Sequence, residues 1–204
     1  MKSFNLKPLL ALASLAFVTV MAGTAQANGE AIANELCAGC HGPAGNSMVP
    51  NFPKLAGQQK VYLLRELKDY RSGKRVSEIM VPLVSALSDA DLSNLADYYA
   101  KQKPEKPDPG AASDPRLLAV GKKLYLEGNN NTDVPSCESC HEIDGSGSGK
   151  FPRVAGQHVD YALDQFRLYA TGKRTNGSRV MQAVANRMSE EETRAVSEYM
   201  ASLP

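Results

Sequence analysis

One pentapeptide occurs twice. Cys37-Ala38-Gly39-Cys40-His41 returns a hundred residues later as Cys137-Glu138-Ser139-Cys140-His141. The two copies use all four cysteines and two of the three histidines of the 204-residue chain. C-x-x-C-H is the attachment signature of a c-type haem. The spacing has a chemical reason: two thiols must reach the two vinyl groups of one porphyrin, and the adjoining imidazole must meet the iron from the proximal side. The expected cofactors are therefore two covalently bound haems c. Cys37 and Cys40 would hold one and Cys137 and Cys140 the other, with His41 and His141 as iron ligands.

Three rivals explain less. A dithiol redox site of the thioredoxin kind leaves the following His unexplained twice, and no alternating strand–helix pattern surrounds it. A four-thiolate zinc site usually keeps its pairs closer together, whereas a whole domain's length of chain separates Cys40 from Cys137. A disulfide within C-x-x-C closes a very small, strained loop.

Residues 1–27 read as a targeting segment. Lys2 and Lys7 form a positive start, Leu9 to Ala22 is apolar, and Ala25-Gln26-Ala27 is an A-x-A cleavage site. The apolar run is short for a membrane span. Export to a periplasm follows, a compartment that suits covalent haem attachment. Removal of this segment leaves 21 basic and 22 acidic side chains and no basic tract, which argues against nucleic-acid binding.

Sliding the chain on itself by about 100 residues exposes a duplication. Pro53-Lys54-Leu55-Ala56-Gly57-Gln58 answers Pro152-Arg153-Val154-Ala155-Gly156-Gln157, and Gly73-Lys74-Arg75 answers Gly172-Lys173-Arg174. The offset drifts only between 99 and 101, which implies tiny insertions. Between the copies lies a Pro-rich, semi-extended linker. The expected division is a signal peptide at 1–27, one domain at 28–103, a linker at 104–112 and a second domain at 113–204.

The local patterns are helical. Gly29 to Leu36 and Asp114 to Leu126 lead towards the two haem motifs. Leu63, Leu64, Leu67 and Tyr70, and in the second copy Ala162, Leu163, Phe166 and Tyr169, recur at helical spacing. Gly73 and Gly172 stop these helices. The last helix of each copy opens on a capping box, Ser88 to Asp91 and Ser189 to Glu192. Strand patterns are absent. The loops Gly42–Asn46 and Asp144–Gly149 read as surface turns, the second flexible by composition.

The second axial ligand decides between electron carrier and enzyme. His158 answers Gln59 in the repeat, so it reads as a surface residue at a helix start. Of the methionines, Met188 answers Leu87 and Met200 answers Tyr99, which marks both as packing residues, and Met48 has no methionine partner. Only Met80 and Met181 coincide. His/Met coordination raises the reduction potential and leaves the iron no open position for substrate. The expectation is electron transfer, not catalysis. The carbonyls of Pro53 and Pro152 are candidates to accept the proximal ring N–H. Lys74, Arg75, Lys173 and Arg174 are either haem-propionate partners or solvated charges complementing a helix dipole.

These residues resemble class I cytochrome c domains in tandem, and most closely the cytochrome c4 family. The secretion signal, the two C-x-x-C-H motifs, P-x-L-A-G-Q and the run from Gly73 to Asp91 carry the resemblance over the whole mature chain. It implies an all-α fold of two cytochrome c domains, each wrapped around a covalent haem. It further implies a periplasmic dihaem carrier, often loosely membrane-associated, between a quinol-oxidising complex upstream and a terminal oxidase downstream. The second copy departs in Met188-Ser189-Glu190, where the first has Leu-Ser-Asp, and in two residues inserted before Met181. The alternatives are the electron-accepting subunit of a larger dehydrogenase, such as a flavocytochrome that oxidises sulfide, and a dihaem peroxidase.

Overall fold

The computed structural model describes residue 1 and residues 28–107, 114–177 and 179–204. The targeting segment at 2–27 and most of the Pro-rich linker lie outside the described residues. Everything regular within them is helical. Two isolated bridges, Asn129 with Val134 and Ser148 with Phe151, are the sole β pairings described.

In the first domain, α1 (Gly29–Ile32) runs through a π-helical turn at Ala33–Cys37 into α2 (Ala38–His41). Asn28 caps its start by accepting the Ala31 N–H at 2.9 Å. Next come α3 (Lys60–Arg71), α4 (Met80–Ser85) and α5 (Asp89–Ala100). The second domain supplies α6 (Pro115–Glu127), α7 (Glu138–His141), α8 (Val159–Ala170), α9 (Arg179–Arg187) and α10 (Glu190–Ser202). Both expected capping boxes are complete, with Ser88 and Asp91, and Ser189 and Glu192, satisfying each other's backbone N–H groups. Gly73 and Gly172 take positive φ after α3 and α8, as a helix stop requires.

Each domain is closed by the crossing of its first and last helices. A Cβ on Gly29 would lie 2.1 Å from the Asn94 carbonyl oxygen, and one on Gly121 would lie 2.0 Å from that of Ala195. Only glycine lets the helices approach so closely. Around the crossings sit two separate cores. Ile32, Leu63, Leu95, Ala96 and Tyr99 form the first. Leu124, Tyr125, Val134, Val184, Val196 and Met200 form the second.

The two copies differ more than the repeat suggests. Cys37 follows Gly29 by eight residues, whereas Cys137 follows Gly121 by sixteen. The offset of 99 to 101 therefore holds only downstream of the haem motifs. The first copy tightens the approach with its π turn. The second lets α6 run on to Gly128 and adds a loop there, closed by reciprocal bonds between Asn129 and Val134. Asn129 Nδ2 donates to Glu192 and Arg187 to the Asp133 carbonyl, pinning the loop to α10 and α9.

The loops after the haem motifs are likewise fixed. The Gly45 carbonyl accepts from the Leu55 and Ala56 N–H groups, and that of Gly145 from Val154 and Ala155. Gly45, Gly145 and Gly147 are buried, so neither loop is a simple surface turn. The start of the expected linker is held too. Asn46 accepts the Glu105 N–H and donates to the Lys103 carbonyl.

Candidate haem sites and the face between them

The π turn and α2 carry Cys37, Cys40 and His41 on consecutive turns, and α7 carries Cys140 and His141. All four cysteines are free thiols of intermediate exposure. Burial raises the pKa of Cys37 and pushes that of Cys137 up to about 12. A dithiol redox centre depends on a depressed thiol, so these pairs are poor candidates for that chemistry. Among the described residues, no group of three or more His, Cys, Asp or Glu side chains is placed to hold a metal ion.

Both imidazoles are oriented alike. His41 Nδ1 lies 2.8 Å from the Pro53 carbonyl and His141 Nδ1 lies 2.9 Å from that of Pro152. A carbonyl can only accept, so Nδ1 carries the proton and the Nε2 lone pair is free. Burial lowers both ring pKa values, against the opposing pull of the carbonyls, and favours neutral rings. Two free thiols beside one neutral, pre-aligned imidazole is the donor set a covalent haem needs. The residues present fit that group at both motifs.

The methionines sort cleanly. Met80 opens α4 and Met181 sits in the first turn of α9, both half-buried. Met200 is part of the second core and Met188 packs against it, the packing roles expected from the repeat. Met48 is 82% exposed.

A polar face joins the two domains. Gln58 and Gln157 exchange bonds crosswise with the backbones of Arg153 and Lys54. Gln59 Nε2 donates to the carbonyls of Ser146 and Gly147, and His158 Nε2 to that of Ser47 at 2.9 Å. His158 starts α8 as expected, but its ring reaches the other domain and is no mere surface feature.

At the centre lies Glu66, 4% exposed. It accepts from Arg75 at 2.7 Å, from Arg174 at 3.1 Å and from Asn176 at 2.7 Å. Burial opposes its charge, yet Arg174, Arg75 and Asn176 together hold its carboxyl below the usual range. Arg75 lies over the Tyr70 ring and reaches across to Gln165 and Tyr161; Arg174 lies over Tyr169 and reaches Tyr62. Neither arginine is the solvated charge that its place after a helix suggests. Lys74 and Lys173 do remain exposed. Sequence reasoning gave Gln58, Gln157, Glu66 and Asn176 no role. The only hints were a glutamine closing the same motif in both copies and a carboxylate between the apolar Leu63 and Leu67.

Two helical units, each presenting thiols and an aligned imidazole, define a tandem c-type cytochrome. A family model for cytochrome c matches residues 26–103 and again 118–204. Cytochrome c4 of Thiocapsa roseopersicina is 43% identical over 181 residues, covering 86% of this chain and 91% of that one. The crystal structure of reduced recombinant cytochrome c4 from Pseudomonas stutzeri superposes with a TM-score of 0.80 at 35% identity, over 86% and 97% of the two chains. A thiosulfate dehydrogenase electron acceptor of Stutzerimonas stutzeri (strain A1501) is 37% identical over 173 residues, 82% and 78% of the chains. The chain belongs to the cytochrome c family and, within it, to the cytochromes c4. It is a dihaem electron-transfer protein with two covalently bound haems c.

Proposed function

We propose that the protein carries electrons one at a time from a quinol-oxidising complex towards a terminal oxidase, in the periplasm, after removal of residues 1–27. Its domains are 28–103 and 113–204, joined by the linker 104–112. Cys37 and Cys40 bond one haem and Cys137 and Cys140 the other. His41 and His141 would bind the irons through Nε2, and Met80 and Met181 would supply the second ligands. The haem supplies the one-electron couple. The chain orients the imidazoles, and with Met80 and Met181 as second ligands it would leave the irons no site for substrate, which would make this a carrier and not an enzyme.

The observation that carries the reading is the matched pair of rings, each held Nδ1-to-carbonyl beside two free thiols. Support for the methionines is their half-buried, matched positions, while Met188 and Met200 are committed to packing. Among the described residues no helix is long and apolar enough to cross a membrane.

The test is an intact mass and a visible and near-infrared spectrum of the protein and its variants. The mature chain should carry the mass of two haems. Met80→Ala and Met181→Ala should each remove one haem's share of the Met–iron charge-transfer band and lower that haem's potential. A bare-chain mass, or a band lost on changing Met188 instead, overturns the assignment.

A second reading is an electron-accepting subunit of a larger dehydrogenase. Its support is the likeness to the thiosulfate dehydrogenase electron acceptor. Reduction by a co-purifying dehydrogenase faster than by a quinol-oxidising complex would favour it. Peroxide turnover would instead point to a peroxidase, which needs an open iron.

A further inference from the structure

The contact between the domains contains one motif used in both directions. His41 Nδ1–H is donated to the Pro53 carbonyl at 2.8 Å. That oxygen belongs to the same peptide group as the Lys54 N–H. The Lys54 N–H is donated at 3.0 Å to Gln157 Oε1 of the second domain, and the Lys54 carbonyl accepts from Gln157 Nε2 at 3.0 Å. The second domain returns the arrangement. His141 Nδ1–H goes to the Pro152 carbonyl at 2.9 Å. The Arg153 N–H goes to Gln58 Oε1 at 2.7 Å, and Gln58 Nε2 goes to the Arg153 carbonyl at 2.9 Å.

Each glutamine is locked in this orientation. Its Oε1 also accepts the N–H of the residue that follows it, Gln59 at 2.9 Å and His158 at 3.0 Å. Exchanging the amide's oxygen and nitrogen would set N–H against N–H twice and oxygen against oxygen once. Gln58 is only 6% exposed, so water competes poorly there.

A peptide group is one conjugated unit. Drawing its N–H towards an acceptor places more negative charge on its carbonyl oxygen, and bonds in such a chain strengthen one another. A more negative oxygen pulls harder on the imidazole proton, and an imidazole so polarised is a more basic metal ligand through its other nitrogen. A more basic ligand favours ferric over ferrous iron.

We propose that Gln58 and Gln157 are crossed positioning residues that tune the iron couple of the opposite domain. Gln157 acts through the Lys54 peptide on His41, and Gln58 acts through the Arg153 peptide on His141. Each lowers the reduction potential of the haem it does not share a domain with. The coupling is reciprocal: ferric iron at one site strengthens the crossed bond, so oxidation tightens the contact between the domains and reduction relaxes it. The inference rests on His41 and His141 being iron ligands.

The test uses the intact dihaem protein. Gln157→Met and Gln58→Met remove one set of crossed bonds each at similar volume. The potential of each haem is measured by spectroelectrochemistry, and the ring N–H proton resonances of His41 and His141 are recorded in the reduced state. Gln157→Met should raise the potential of the His41 haem, a change of about threefold in its ferric-to-ferrous ratio at fixed poise, or about 28 mV at about 59 mV per decade. It should move the His41 resonance upfield and leave that of His141 in place. Gln58→Met should give the mirror image. Tyr161→Phe, which removes a bond across the same face without touching either peptide, should move neither resonance. If a glutamine variant shifts both haems alike, or only the haem of its own domain, the crossed device is wrong. If the wild-type ring N–H resonances lack the large ring-current displacement of an axial ligand, the ligation itself fails and the inference falls with it. A displaced resonance that Gln157→Met leaves unmoved overturns the inference alone.

Discussion

Glu66 shows how much one side chain can decide. It sits on the face of α3 that turns towards the second domain, bonded to the guanidiniums of Arg65, Arg75 and Arg174 and to the Asn176 amide. Breaking a buried charge pair by removing one partner costs about 3–5 kcal/mol. Glu66→Gln should therefore lower the free energy of thermal unfolding by roughly that amount, read by calorimetry on the intact protein. The pH dependence has a definite sign. The folded-state pKa of Glu66 is depressed below its ordinary 4.5. Its contribution is thus fully present above pH 4.5 and is lost as pH falls through the lower, folded value. The margin of the wild type over Glu66→Gln should shrink in that acidic window and stay constant at neutral pH. Met200→Ala should cost about 2–5 kcal/mol as a core truncation, with both charge-transfer bands intact. The ligand candidates were legible because each comes twice, in register with its own histidine. Glu66 was not, because its copy in the repeat is Gln165, and one charged residue in a helix reads as solvated until a second domain is seen to cover it.

At the scale of elements the sequence was a good guide wherever a local rule fixes the outcome. Capping boxes, glycine stops and the apolar spacing of α5, α8 and α10 all depend on near neighbours and are found as expected, whereas α3 buries Glu66 and Asp69 beside Leu63 and leaves Leu64, Leu67 and Tyr70 only partly covered. The helix crossings depend on distant partners and left no periodic trace. Gly121→Ala drives a methyl into the Ala195 carbonyl, 2.0 Å away. Backbone cannot yield as a side chain can, so the cost should reach or exceed the about 1–3 kcal/mol typical of overpacking. A Gly121→Ala protein should unfold its second domain first in a denaturant titration followed by haem absorbance. The extra loop at Gly128–Ser136 escaped notice for a related reason. The matches that define the repeat lie downstream of the haem motifs, and a length change upstream of them cannot disturb that register.

The whole molecule is two similar cores joined by a face that is polar, buried and hydrogen-bonded throughout its centre. Such a face fixes one geometry, since a small slip would strand several buried donors at once. Electron exchange between the two haems should then be an internal event, faster than exchange with partners. Rapid single-electron reduction of the wild type should be followed by redistribution between the haems at a rate independent of protein concentration. Glu66→Leu, which uncouples the face, should slow that redistribution; an unchanged rate would show that the haems communicate without it.

The near-symmetry of this face is broken by two carboxylates, and this governs which halves can recognise each other: Glu66 answers Gln165, and the buried Asp69, which accepts from Asn176, answers Leu168. Across the junction two guanidiniums meet one glutamate and one glutamine, Glu66 and Gln165. Two copies of the second half docked in the same manner would bring together two arginines and two glutamines, with no carboxylate between them. The crossed glutamine bonds would still form, but around an uncompensated pair of like charges. A separately produced 113–204 fragment should accordingly remain monomeric in sedimentation while forming a one-to-one complex with 28–103. The sequence differences at two helical positions thus make the second half a partner for the first and a stranger to itself.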